Sequence, residues 1–399
     1  MAENNVIASE GGNITKFRPD RRGAACGLLK SIALLGLLCS MIYCVWNYHE
    51  QLTLSSLRKL AATVSAAQNG QNAEFAGYSF EAGTDSVYDD FGSGLAVLSS
   101  DTLSFINGAG REELSVQLKY ANPALSVASD NMLAYDRGGK KLCFTNRYTS
   151  LWETSLSSDI ISANVNTAGA FCVVTDEQGY RAAVTLYDMH QKRRFKWKTS
   201  EYYIMQAAAA PDLKQMAVLC MSQKDGSRVS AIRVFDTSKE DPKADIPLGS
   251  LTVYSMEYYK NDSLALVTDQ GIFFYDGAGQ LRGSFAYPRG SLVTFSHKAG
   301  MLPTVALETG DRENRSRVVT ADEKGSLLLD RQYPAAVRSL STSGDKVAVL
   351  LSDSVVCETL GDPQAAKSAK EISARDIILC SDGKVMVIYA DRAEELKLA

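Results

Sequence analysis

The fold class predicted for this 399-residue sequence is all-β, a β-propeller of eight blades with seven as the alternative. Three observations predict it. A run of apolar residues recurs eight times from about residue 90 onward. Successive copies lie roughly 40 residues apart, the period of a four-stranded blade. Each run is followed by a Ser, Thr or Asp turn and then by a second, alternating strand.

Ahead of the propeller the chain predicts three further segments. Residues 1–23 form a tail containing Lys16, Arg18, Arg21 and Arg22. Residues 24–46 read AACGLLKSIALLGLLCSMIYCVW, long enough at 1.5 Å per residue to cross a hydrocarbon core. The one charge, Lys30, is near the inner end and can snorkel to the headgroups, while Tyr43, Trp46 and Tyr48 suit the outer interface. The cations before the span predict a cytoplasmic N-terminus and an extracytoplasmic C-terminal domain in the cell membrane. The stretch ends in bulky residues rather than a small-residue cleavage site, so a retained signal-anchor is expected over a cleaved signal peptide. Residues 47–70 carry Leu57, Leu60, Ala61 and Val64 at helical spacing and predict a juxtamembrane helix or stalk ending at Asn69-Gly70.

Residues 71–399 are the predicted propeller. The apolar runs begin at Leu95, Met132, Phe171, Met216, Leu264, Val305, Val347 and Val385. A continuous run of this kind needs burial on both faces, and each is assigned to an inner strand of its blade. Alternating partners such as Ile272-Phe273-Phe274-Tyr275 follow after tight turns such as Asp269-Gln270-Gly271. The last unit, residues 373–399, supplies three strands. Ala73–Phe80 is the candidate for its fourth, a closure that removes the exposed edges at the seam. A pair of β-sandwiches is the competing fold, disfavoured by the regular period.

Composition narrows function more by exclusion than by assignment. A formal charge of −4 argues against a nucleic-acid binder with a broad basic surface. Cys143, Cys172, Cys220, Cys357 and Cys380 lie in apolar strands without a CxxC pair and are expected as buried, free thiols. The three histidines form no metal motif: His190 is expected in a hairpin turn and His297 at the start of a loop. No GxSxG elbow, phosphate loop or DxDxD run occurs, so no catalytic residue, metal or cofactor is expected. The repeated Ser-Asp pairs read as turn chemistry. One charged feature remains: Lys192, Arg193, Arg194, Lys196 and Lys198, interleaved with Phe195 and Trp197, form a candidate site for an anionic partner such as envelope polymer or lipid headgroups. The competing reading is a solvated outer strand.

The apolar-run-then-Asp copies, with outer-strand segments such as Ser150-Leu151-Trp152-Glu153 and Phe195-Lys196-Trp197-Lys198, resemble the quinoprotein-like and WD-repeat-like propellers of bacteria. In the quinoprotein-like group a Trp often docks neighbouring blades; with Trp152 and Trp197 alone in this domain, a regular pattern is not expected. The whole chain resembles an uncharacterised family of N-terminally membrane-anchored propeller proteins of Gram-positive bacteria, which implies no known reaction. The leading expectation is a non-enzymatic protein-binding or scaffolding module at the cell envelope. The alternative is a propeller enzyme or ligand sensor with a pocket at the central channel. A channel lined by carboxylates, His or Arg favours the alternative; a plugged channel beside an exposed patch favours binding.

Overall fold

A computed structural model describes residues 77–80, 86–311, 313, 315–371 and 373–398, with helical stretches at 34–36, 38–40, 42–43 and 46. The chain divides into two units, Met1–Leu60 and Ala61–Ala399. In the first, the described Leu34, Leu35, Leu38, Ile42 and Trp46 are exposed. No helix among the described residues is long and apolar enough to cross a membrane. Most of the expected span 24–46, and all of the tail 1–23 and stalk 47–70, lie outside the described residues.

The second unit is an eight-bladed propeller. Its strands form eight four-stranded sheets, each an antiparallel meander. Seven blades run in chain order from Val87–Phe91 to Leu327–Tyr333 and Asp362–Lys370. The eighth takes three strands from the C-terminus, Asp376–Leu379, Val385–Ile388 and Arg392–Leu396, and its outermost from Tyr78–Ser79. Tyr78 pairs with Ala393 and Ser79 with Arg392, so the ring closes by the predicted exchange of its two ends.

The apolar runs form the second strand of each blade, an inner strand as expected, with one further strand between it and the axis. In blades 1 to 8 these are Gly94–Leu98, Asn131–Asp136, Phe171–Thr175, Gln215–Lys224, Ser263–Thr268, Thr304–Glu308, Lys346–Leu351 and Val385–Ile388. The innermost strands are the preceding segments: Val87–Phe91, Pro123–Ala128, Ile160–Val165, Tyr203–Ala209, Val253–Lys260, Leu292–Ser296, Val337–Ser343 and Asp376–Leu379. The reason is geometric. A second strand has a hydrogen-bonded neighbour on each edge and a blade against each face, so every side chain is buried, as in Ser263–Thr268. An innermost strand has one edge free at the axis, and that edge favours polar residues.

The blades pack face to face through apolar clusters. One joins Leu133, Tyr135 and Phe144 of blade 2 to Val165, Phe171 and Val173 of blade 3; another joins Val267 and Phe274 of blade 5 to Val305 and Val319 of blade 6. Both tryptophans of this unit dock a neighbouring blade, without a pattern that repeats around the ring: Trp152 of blade 2 lies against Phe171 and Tyr187 of blade 3, and Trp197 of blade 3 lies 4.9 Å from the Phe235 ring of blade 4. The five thiols of this unit are free and buried.

Candidate functional site: a channel plugged from one end

Innermost strands of neighbouring blades lie side by side without sheet pairing. Their facing edges are laced instead by side chains, since buried backbone groups need partners. Ser126 Oγ of blade 2 accepts from Val165 N of blade 3 (3.1 Å). Ser162 Oγ of blade 3 donates to the Met205 carbonyl of blade 4 (2.9 Å), and Gln206 Nε2 of blade 4 donates to the Met256 carbonyl of blade 5 (3.1 Å). His297 Nδ1 and Ser255 Oγ (2.9 Å) join blades 6 and 5; Ser341 Oγ accepts from Leu379 N to join 7 and 8. The polar residues of the inner strands therefore answer a structural need before any functional one.

The inner strands of blades 3 to 7 share a second device. Each carries a register shift near its start, between Ile160 and Ser162, Ile204 and Gln206, Val253 and Ser255, Leu292 and Thr294, and Val337 and Ser339. A bulge of this kind re-aims the extra residue. The extra residues are Ile161, Met205, Tyr254, Val293 and Arg338; Met205, Tyr254 and Val293 are large apolar side chains exposed by 44%, 50% and 50%. Arg338 is also exposed and Ile161 half-buried. They form a crescent, mostly apolar, at the end of the channel where the inner strands begin.

At the other end a loop crosses the axis. Residues 297–303 leave the inner strand of blade 6 and reach blades 1 and 5 and the packed faces of blades 2 and 3. Lys298 Nζ pairs with Asp89 Oδ1 (2.5 Å) and with Asp90 of blade 1. Gly300 N donates to the Tyr258 carbonyl of blade 5 (2.9 Å). Ala299 packs against the cluster of blades 2 and 3. Gly300 is required here twice over: its φ is +77°, and a Cβ would stand 2.6 Å from Thr167 Cγ2 of blade 3.

Between plug and crescent lies a cavity of about 550 Å³, lined by Asp89, Asn164, Gln206, Tyr254, Glu257 and Lys298 among others. A second, of about 340 Å³, lies beside blades 7 and 8 with Asp376 in its wall. Glu257 is 7% exposed. Its two carboxyl oxygens accept from Asn164 Nδ2 of blade 3 at 3.0 and 2.9 Å, and Asn164 is itself oriented by Ser126 Oγ. Burial pushes the Glu257 carboxyl up to about 8 against the amide donor that lowers it. Burial also depresses His297 to about 3, so its ring is neutral.

The sequence-predicted basic cluster lies elsewhere, on the outer strand of blade 3, Arg193–Thr199. Lys196 and Lys198 both pair with Glu177 (3.1 and 2.7 Å), and Arg194 pairs with Asp188 at 2.7 Å. Phe195 and Trp197 point inward onto Phe235. Lys192 and Arg193 are exposed, without an ion pair among the described residues. His190 sits in the hairpin turn before this strand, as expected. No group of His, Cys, Asp and Glu that could hold a metal occurs among the described residues.

A family model described as a family of unknown function, DUF5711, matches residues 71–398. The chain belongs to that family. The DUF5711 match thus takes in the closing strand at Tyr78–Ser79 and every strand after it. No curated protein matches this DUF5711 chain. Among solved structures it is similar to the C-terminal WD40 domain of Sif2, at 14% identity and TM-score 0.51, over 77% of this chain and 96% of that one. It is also similar to BamB from Moraxella catarrhalis, at 13% identity and TM-score 0.48, over 80% and 98%. A complex of KlAtg21 with the coiled-coil of AgAtg16 matches at 13% identity and TM-score 0.48, over 70% and 98%. At these identities the likeness shows a propeller fold alone.

Proposed function

We propose that this protein is a membrane-anchored, extracytoplasmic propeller that binds a protein partner at the open end of its channel without catalysing a reaction. The observation that carries it is the contrast between the two ends: one closed by residues 297–303, the other presenting Met205, Tyr254 and Val293 to solvent. Exposed large apolar side chains gathered at one mouth suit a protein interface, with the aromatic as its anchor. The channel does carry the carboxylates that favour an enzyme. They are engaged by fixed side chains, Asp89 and Asp90 by Lys298 and Glu257 by Asn164, which suits a rigid frame more than a reacting group. The anchor is supported by the apolar sequence of residues 24–46 and by its charged inner flank.

A photo-crosslinking residue at position 254 of the full chain, expressed in its native cell, tests the reading. A discrete protein adduct is expected, lost when Met205 and Val293 are both changed to Glu. Adducts indistinguishable from those formed by the same probe at position 243, exposed on the outermost strand Pro242–Gly249 of blade 4, would refute it.

A further inference from the structure

We propose that the partner inserts a cationic side chain, arginine or lysine, through the open mouth of the channel, and that Glu257 is the carboxyl it meets; this rests on the binding reading above. Four observations carry it. First, Glu257 faces the cavity of about 550 Å³, a volume in the range of pockets that hold a ligand group, and no ion pair engages it among the described residues. Its only described donors are the neutral amides of Asn164, at 2.9 and 3.0 Å, and Gln206, at 3.5 Å. A buried carboxyl so placed gains most from a cation brought to it.

Second, the lysine of the wall is already engaged. Lys298 is shared between Asp89 and Asp90, which leaves that trio with a net negative charge, while Asp376 lines the neighbouring cavity. Arg137 stands at the lip rather than beside Glu257 and is exposed. Third, His297 lines the same cavity, and its Nε2 is buried without a hydrogen-bond partner among the described residues. If Nδ1–H donates to Ser255 Oγ, Nε2 is left as an acceptor for a donor-rich group. Fourth, the approach is suited to a side chain carried by a protein. Tyr254 stands at the rim, stacked on Phe295 at 6.3 Å, where a guanidinium or ammonium can pass over its face. Met205 and Val293 extend the contact beyond the reach of a small free amine.

The test uses the full chain in detergent micelles and three probes, N-acetyl-arginine methylamide, N-acetyl-lysine methylamide and the uncharged N-acetyl-citrulline methylamide. Calorimetry is expected to show the two cations binding at least tenfold more tightly than citrulline. Glu257→Gln, which keeps the shape of the protonated acid, is expected to abolish that difference while leaving the thermal midpoint no lower than that of the wild type at any pH. Cation affinity is expected to rise with pH up to about 8, because a protonated Glu257 must first release its proton to solvent to pair with the incoming cation. The groups facing Glu257 are Asn164, Gln206, the buried Cys172 thiol and, across the cavity, Asp89, Tyr135, Arg137, His297 and Lys298. Equal binding of arginine and citrulline, survival of the difference in Glu257→Gln, or saturation by none of the probes overturns the proposal. The two readings separate cleanly. A position-254 adduct that persists undiminished in Glu257→Gln leaves the interface standing without the inserted cation. An absent adduct with intact probe binding does the reverse.

Discussion

The second strands and the innermost strands of this ring are neighbours bonded edge to edge, yet they follow opposite rules. The second strands are nearly interchangeable: Leu95–Leu98, Phe171–Val174, Leu264–Val267 and Val347–Leu350 are all apolar and all buried. The innermost strands diverge from blade to blade. Some are bulged and others regular, and that of blade 6 runs on into the plug. What repeats is the frame, selected by burial that is the same in every blade. What does not repeat faces the axis, where each blade meets a different set of opposite neighbours.

The comparison can be broken most drastically at the frame. Deleting residues 380–399 removes two strands of the closing blade and the partner of Tyr78–Ser79. Loss of cooperative unfolding in denaturant is expected, rather than a trimmed but folded domain. A milder break is Phe171→Ala. This ring is fully buried, stacked on Tyr187 and in tilted contact with Phe144, so the change is expected to cost about 3–5 kcal/mol in a urea titration.

At the axis the expected effect is smaller and depends on pH. The folded-state value of Glu257 is raised from 4.5 to about 8, so the folded chain holds a proton that the unfolded chain has released. Stability is then fully present below about 4.5 and is lost as pH rises toward 8, by on the order of a few kcal/mol. Glu257→Gln is expected to flatten that slope in thermal melts between pH 5 and 8. His297 acts with the other sign, its depressed value costing stability as pH falls below 6.5. Smallest of all is the outer strand. Changing Lys196 and Lys198 together to Gln is expected to leave the thermal midpoint within error, since both share Glu177 at the surface. The same variant, tested for retention on anionic envelope polymer, decides whether the basic cluster has a partner.

The frame was legible in the sequence because each apolar run states its burial locally. So was the closure of the ring, since a blade short of one strand points to a strand elsewhere. The strand at the axis was less legible: continuous burial marks a strand with neighbours on every side, and the one at the axis lacks a neighbour. The channel was not legible for a different reason. Glu257 sits in Met256-Glu257-Tyr258 and Asn164 in Ala163-Asn164-Val165, each resembling any alternating strand. Their bond joins positions 93 apart in the chain, and Asp89 meets Lys298 across 209. A lone polar residue between buried ones in the strand ahead of an apolar run, as at Asn164 and Glu257, was the available signal.

The fastening of the ring has a mechanical consequence. Among the described strands, Tyr78–Ser79 is both the shortest and the first in the chain. A pull applied to the N-terminal side is borne by its two paired positions, Tyr78 with Ala393 and Ser79 with Arg392, before any other ladder is loaded. Under tension the seam parts there first, and blade 8 is left with a bare outer edge while the other seven remain intact. The closing strand is thus the fuse of the molecule, set to yield at a lower force than the ring it holds shut.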